Sequence, residues 1–457
     1  MKRKGVLLLC FLCCAWWLPA QNGAALQQLL QTEGLKQAAV GISVKSVADG
    51  EKVVEYRPDM ALTPASVMKL LPTWLALREK GENYQYQTPV YYSGTLKDSV
   101  LEGNIVVVSQ GDPTLDSKYF PKHAFVRALA TAIEKKGIRR IQGKVIVENA
   151  CKGCQVPGSW SWEDVSNYYA ALYLPFNYRD NMFTLQFCSG EAGKPVKLVS
   201  VTPSLPGVEI RNEVTAAAGK QDNAWIFGGP YSSVLCVRGT IPAHRPVFRV
   251  KGAMHDPAAV FVAELERALL ERHIRIDRGE IAGEKRQELI KINSPVLREI
   301  VFHTNKSSVN LFAEALGNLV AGDDWAVTVE EKLSRNGIDA SGMILKDICG
   351  LSPLNAVPAQ VFTDLLVHIG RQKQAAWINS LPEAGVDGGL LGYCHASPEL
   401  KNRLRAKTGS MSGVRCLSGF ITRKNGEQLA FTILVNHYTC TTAELQKAVG
   451  QFLSTLL

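Results

Sequence analysis

The segment "TPASVMKLLP" sets Ser66 and Lys69 three residues apart, behind Pro64 and ahead of an apolar run. On a helix this spacing brings both side chains to one face, within reach of each other. A serine hydroxyl is a weak nucleophile until a neighbour takes its proton, and an uncharged lysine amine can take it. The same residues also fit an ordinary helix start, with Ser66 as a capping residue and Lys69 reaching solvent. The pair alone does not separate the two readings. Two further patterns bear on it. "LRAKTGS" carries Lys407, Thr408, Gly409 and Ser410 on a predicted strand, where the glycine lets a ligand approach the backbone. "NKSSVNLFAEAL" places Ser308 and Asn310 at the entrance to a helix, a position where both residue types are also common caps.

In chain order the three patterns read Ser-x-x-Lys, Ser-x-Asn and Lys-Thr-Gly, the set found in penicillin-binding proteins and class A β-lactamases. Each falls on the kind of element that the chemistry needs. Charge assigns the roles. Ser66 is the candidate nucleophile and Lys69 its base, provided that burial and a second cation, Lys407, keep Lys69 partly neutral. Ser308 can relay a proton between the amines and a departing nitrogen. Asn310 can hold a substrate amide, and Lys407 with Thr408 can grip a terminal carboxylate. The backbone N–H groups of Ser66 and Ser410 can form an oxyanion hole, with each donor contributing about 3–4 kcal/mol. Other nucleophile systems fare worse. The eight histidines are scattered, "GSMSG" misses the Gly-x-Ser-x-Gly elbow by register, and His-Glu-x-x-His is absent.

These residues need a frame. "AAVGISVKSVADGEKVVEYR" predicts two strands joined at Asp49-Gly50, behind a short helix over 26–37. A single helix is expected from Ala65 to about Lys80, with a kink just past Lys69 because Pro72 removes a backbone donor. At the other end "RLRAKTGS", "VRCLSGFITR" and "QLAFTILVN" predict three strands, the last two turning at Asn425-Gly426. A closing helix follows from about Thr442 to Leu456, with Leu445, Val449, Phe452 and Leu456 on one face. Strands at both ends of the chain invite one antiparallel sheet of five, flanked by helices in an α+β fold. The middle, 89–285, then reads as a large β-rich insertion broken by helices near 122–136 and 257–273. The expected domains are 1–22 (signal), 23–88 and 286–457 (the interrupted domain) and 89–285 (two nested inserted domains).

Length and composition agree with an exported, multidomain chain. At 457 residues a large core is easily built. Lys2, Arg3 and Lys4 precede an apolar run from Gly5 to Leu18 and the small residues of "PAQNGAA", the pattern of a secretory signal cleaved between Ala20 and Ala25. The run is shorter than the roughly 20 apolar residues needed to span a bilayer, so no stable membrane span is expected after cleavage. The formal net charge is +9, of which the signal supplies three. The rest is spread without a Lys/Arg block, which argues against nucleic acid. Three of eleven cysteines lie in the signal. Among the others, Cys151 and Cys154 in "CKGC" form the only close pair. With no second pair and no histidine nearby, a local disulfide or two free thiols fits better than zinc, and no metal or cofactor is expected.

Beyond the short motifs, the chain from about residue 30 to 457 resembles the D-alanyl-D-alanine carboxypeptidases/endopeptidases of the low-molecular-mass class C penicillin-binding proteins. The resemblance runs through "VSQGDPTL", "VPGSWSWEDV", "YRDNMF", "NKSSVNLFAEAL", "LPEAGVDGGL" and "LRAKTGSMSGVRCLSGF". It implies a penicillin-binding-protein/β-lactamase-like transpeptidase domain interrupted by two smaller domains, in the periplasm or cell envelope. The implied partners are peptidoglycan stem peptides and β-lactam antibiotics. It also implies that Asp164 faces the amine of the stem peptide's diaminopimelate. Departures are visible. Val309 replaces the Asp of the family's Ser-Asp-Asn, at a position that points away from substrate. "DICGLSPLN" stands where Asp-Gly-Ser-Gly-Leu-Ser is usual, and "DGGLLGYCHASPE" lacks a basic residue that some relatives carry. Two alternatives stay open: a serine β-lactamase, and a catalytically silent wall-binding relative, although the latter should have lost Ser66, Lys69 or Lys407.

Overall fold

Two strands with scarcely a polar interruption, Val414–Thr422 (β4) and Gln428–Asn436 (β5), lie inside a five-stranded sheet and are buried almost throughout. A strand covered on both faces has no reason to alternate polar with apolar residues. Around them, in the computed structural model, stand Ala39–Ser46 (β1), Lys52–Tyr56 (β2) and Leu404–Met411 (β3), in the order β3-β4-β5-β1-β2. Every neighbouring pair is antiparallel. The sheet therefore joins both ends of the chain, with Ala39 opposite Asn436 and Ser46 opposite Leu429. The residues described are 23–149, 156–230, 232–282 and 285–457. The signal-like segment 1–22 and the Cys151/Cys154 pair lie outside them.

One face of the sheet (Ile42, Val44, Leu417, Ile433) packs on Leu445, Val449, Phe452 and Leu453 of the closing helix. That helix, Thr442–Ser454, starts at a capping box: Thr441 Oγ1 accepts from the Glu444 N–H, and the Glu444 carboxylate accepts from the Thr441 N–H. Gly41 and Ser43 turn the other way, toward the buried helix Ala359–Arg371, whose Thr363 hydroxyl donates to the Ser43 carbonyl. Near the amino end, residues 23–30 are helical and 31–37 are turns, so the helix expected over 26–37 is shorter and earlier.

The segment carrying Ser66 departs from expectation. Instead of one kinked helix there are two elements, a 3-10 turn Ala65–Lys69 and an α-helix Leu70–Lys80 (α1). Pro72 falls in the first turn of α1, where a missing N–H breaks no helical bond. The discontinuity lies between Lys69 and Leu70.

The described chain forms two compact units. One comprises the chain up to Lys80, Val301–Ser308 and Leu316–Leu457; it holds the five-stranded sheet. The other comprises Gly81–Ile300 and Val309–Ala315. The second unit has two separate cores. In one, helices Phe125–Lys135 and Pro257–Leu270 pack through Phe125, Leu129, Phe261 and Leu265 against Val90 and Val107 of a four-stranded sheet. The other, built from Phe183, Phe187, Val214, Ile226 and Val237, joins two three-stranded sheets within 182–253. Cys188, Cys236, Cys349, Cys394, Cys416 and Cys440 are free thiols.

Candidate active site

A 3-10 turn repeats every three residues, so side chains at i and i+3 stand directly above one another. Ser66 and Lys69 occupy such positions, and the Lys69 Nζ donates to Ser66 Oγ at 2.9 Å. A second bond, at 2.6 Å, runs from the same Nζ to the Cys349 carbonyl. Lys69 is wholly buried, an uncommon state for a lysine. The turn is entered through Ala65 at φ +46°, a left-handed conformation that costs a non-glycine residue energy and survives only when its surroundings impose it.

Behind Ser66, the backbone of Lys69 is fixed by a polar network. The Thr73 hydroxyl donates to the Lys69 carbonyl at 2.7 Å and accepts from the Trp377 indole at 3.0 Å. Asn305 reaches Thr73 Oγ1 at 3.4 Å and Ser380 Oγ at 2.7 Å. Asn305 lies near the end of helix Leu297–Lys306 (α2), and the next residue, Lys306, pairs with Asp387 at 2.5 Å. These contacts hold the chain that delivers Ser308.

Ser308 has φ +56°, a second left-handed residue. Its Oγ accepts from Lys407 Nζ at 2.9 Å, and Lys407 also donates to the Thr408 carbonyl at 2.9 Å. Lys407 is 1% exposed. Burial first, and the nearby charge of Lys69 second, hold its pKa well below the usual lysine value. Ser66, Lys69, Ser308 and Lys407 therefore form two serine–lysine couples in one unit, with charge interaction between the two lysines. β3 approaches the turn of Ser66 closely. A Cβ on Gly409 would stand 2.5 Å from the Pro64 carbonyl oxygen and 3.1 Å from the Ser66 nitrogen. Only glycine fits there. Thr408 is half-buried and Ser410 exposed; the Arg415 guanidinium, on the adjacent strand, donates to the Ser410 hydroxyl and to Thr442 Oγ1.

Asn310 and Asp164 belong to the other unit. Asn310 opens helix Asn310–Ala321 (α3), and its amide donates to the Tyr169 carbonyl at 2.6 Å. The Tyr169 hydroxyl in turn donates to Asp164 Oδ1 at 2.6 Å. Burial and this bond to a carboxylate push the Tyr169 hydroxyl's pKa up. The half-buried Asp164 is thus tied to Asn310 through one tyrosine. Sequence reasoning missed Tyr169, the Cys349 carbonyl and Arg415. A tyrosine five residues after Asp164 carries no motif, and a backbone carbonyl leaves no mark in composition.

A family model described as the D-Ala-D-Ala carboxypeptidase 3 (S13) family matches residues 22–456. The D-alanyl-D-alanine carboxypeptidase of Actinomadura sp. (strain R39) is 28% identical over 450 residues, covering 90% of this chain and 80% of that protein. The D-alanyl-D-alanine carboxypeptidase DacB of Haemophilus influenzae is 24% identical over 424 residues, covering 88% and 86%. The crystal structure of penicillin binding protein 4 (dacB) from Haemophilus influenzae superimposes with a TM-score of 0.79 at 23% identity, covering 95% of this chain and 99% of that one. At that identity the likeness speaks for the fold: an α+β transpeptidase architecture with a β-rich insertion.

Proposed function

Because the chain belongs to the D-Ala-D-Ala carboxypeptidase 3 (S13) family and is a serine-type D-Ala-D-Ala carboxypeptidase/endopeptidase of peptidoglycan, we propose that Ser66 is its nucleophile and Lys69 the base that activates it. The observation that carries this reading is the 2.9 Å contact between Lys69 Nζ and Ser66 Oγ, made by a lysine with no exposed surface. Once Lys69 is neutral, the same contact runs in reverse, with the hydroxyl donating to the amine.

Ser66 Oγ attacks the carbonyl carbon of the penultimate D-alanine while its proton passes to Lys69. The negative charge that develops on the carbonyl oxygen is met by the backbone N–H groups of Ser66 and Ser410. As the intermediate collapses, the C–N bond breaks and the leaving amine takes a proton through Lys69, Ser308 and Lys407. Water then hydrolyses the ester and frees Ser66. Lys407, with Thr408, holds the substrate's terminal carboxylate; its cation and donors suit that group. Asn310 orients the substrate amide, and Asp164 attracts a cationic side chain of the stem peptide. A β-lactam presents the same carboxylate beside a strained amide, so penicillins acylate Ser66.

The site of action we propose is the periplasm or cell envelope, from the basic, apolar and small-residue sequence at the start of the chain. Among the described residues no helix is long and apolar enough to cross a membrane. The test is intact-protein mass spectrometry after exposure to benzylpenicillin. One equivalent of adduct is expected on the native chain and none on Ser66→Ala; an undiminished adduct on that variant would remove Ser66 from the role.

A further inference from the structure

The Cys349 carbonyl that receives the Lys69 amine belongs to the loop Asp347–Asn355. That loop is organised around one carboxylate. Asp347 is 5% exposed. Its Oδ1 accepts from the Gly350 N–H at 2.8 Å and from Asn355 Nδ2 at 2.7 Å, and its Oδ2 accepts from the Ser352 N–H at 2.6 Å. Asn355 closes the loop by accepting from the Lys346 N–H at 2.7 Å. Gly350 has φ +84°, and a Cβ there would lie 2.0 Å from the Ala65 carbonyl oxygen and 2.8 Å from Met68 Cβ. The loop thus presses directly on the turn that presents Ser66.

We propose that Asp347 is a positioning residue for the base: by holding this loop it aims the Cys349 carbonyl at Lys69 and so aims the lone pair of Lys69 at Ser66. The inference rests on the reading of Ser66 as nucleophile and Lys69 as base. A neutral amine has two N–H donors and one lone pair. The carbonyl accepts one N–H at 2.6 Å, which fixes one of the amine's three directions and lets the lone pair point at Ser66 Oγ, 2.9 Å away. When Lys69 takes the proton, the ammonium keeps the carbonyl bond and gains a donor toward Ser66 Oγ. Only the proton moves between the two states; no heavy atom has to. Asp347 itself never touches substrate.

The experiment separates noncovalent binding from acylation in the full chain. Rapid mixing with a fluorescent penicillin gives the dissociation constant of the first complex and the first-order acylation rate, for native protein, Asp347→Ala, Asp347→Asn, Asn355→Ala, Lys69→Ala and Ser66→Ala. Asp347→Ala should slow acylation by about 10²-fold, the size of effect expected from misplacing a reacting group by about 1 Å, with the dissociation constant unchanged. Asp347→Asn, which keeps one acceptor oxygen for the loop, should recover part of the rate. If Asp347→Ala does not fold, Asp347→Asn and Asn355→Ala decide the matter by showing the same slowed acylation at unchanged binding. Native acylation rates in folded Asp347→Asn and Asn355→Ala, alongside a silent Lys69→Ala, would overturn the proposal and leave the base assignment standing. So would a parallel loss of binding, rate and melting temperature. Labelling of Ser66→Ala would instead overturn the underlying reading.

Discussion

Lys407 donates to Ser308 Oγ at 2.9 Å, and it does so from a position only 1% exposed to solvent. A buried ammonium beside a second lysine opposes folding, so its presence calls for a functional reason. Burial and the Lys69 charge hold its pKa well below 10.5. The unfolded chain therefore binds this proton more tightly than the folded one. The group's opposition to folding is complete below its folded pKa and fades as pH rises from there toward 10.5.

Lys407→Met, which keeps the volume and removes the charge, should on that account melt no lower than the native protein at neutral pH. Any gain should shrink as pH approaches 10.5. Acylation by penicillin should fall by the 2–5 kcal/mol that is roughly the cost of truncating one partner of a buried charged pair. Thermal melts across pH, read beside acylation rates, check both halves. Loss of stability in proportion to activity would make Lys407 a structural residue.

Gly409 should prove sensitive for a steric reason. Gly409→Ala introduces a Cβ 2.5 Å from the Pro64 carbonyl oxygen, so β3 or the turn of Ser66 must shift. Overpacking of this kind costs about 1–3 kcal/mol of stability, and an ångström-scale displacement costs about 10²-fold in acylation. Gly426→Ala provides the contrast. Gly426 has φ +89° in the β4–β5 hairpin with open space around its Cβ, so this variant should lose stability and keep its acylation rate.

The frame of the molecule could be read from sequence because its determinants are local. Asp49-Gly50 and Asn425-Gly426 announce hairpins, and the apolar runs of β4 and β5 have the length and composition of buried strands. Ser66, Lys69, Ser308 and Lys407, which the structure joins in two serine–lysine contacts, could be singled out from their types and order. The form of the Ser66 segment was not visible. Helical periodicity does not distinguish a 3-10 turn from the first turn of an α-helix, and Pro72 suits the start of the second as well as a kink in the first. The loop Asp347–Asn355 was legible only as a departure, since a carbonyl aimed at a lysine 280 residues away is a tertiary fact. The same holds for Tyr169, which links Asp164 to Asn310 through a hydroxyl and a carbonyl.

Asp164 should influence which stem peptide is preferred, not the speed of the chemistry. Its carboxylate accepts from the Tyr169 hydroxyl at 2.6 Å and remains half-buried, which suits it to attract a cation rather than to carry protons. Asp164→Asn should raise KM by about fivefold, near 1 kcal/mol, for a D-Ala-D-Ala peptide with a side-chain amine. It should leave kcat unchanged, and a peptide whose amine is acetylated should be indifferent to the substitution. Equal effects on both peptides would remove Asp164 from substrate recognition.

The acyl-enzyme formed with penicillin should be long-lived, which distinguishes a peptidase from a β-lactamase. A class A β-lactamase discharges its acyl-enzyme with a glutamate that activates water, within Glu-x-x-Leu-Asn. Here the corresponding echo is "LSPLN", with Leu351 where that glutamate would be. Leucine accepts no proton. The carboxylate in the same loop, Asp347, already accepts from the Gly350 and Ser352 N–H groups and the Asn355 amide, and it is buried. It is committed to holding the loop rather than to activating water. With a D-Ala-D-Ala peptide the leaving D-alanine diffuses away and admits water, whereas an opened β-lactam ring stays tethered across that approach. The protein should therefore release D-alanine over many turnovers, yet bind one equivalent of penicillin and free it slowly. D-alanine assays and the decay of the penicillin adduct by mass spectrometry check the two halves. Rapid, repeated hydrolysis of penicillin without D-alanine release would mean that water reaches the ester by a route that needs no base in this loop.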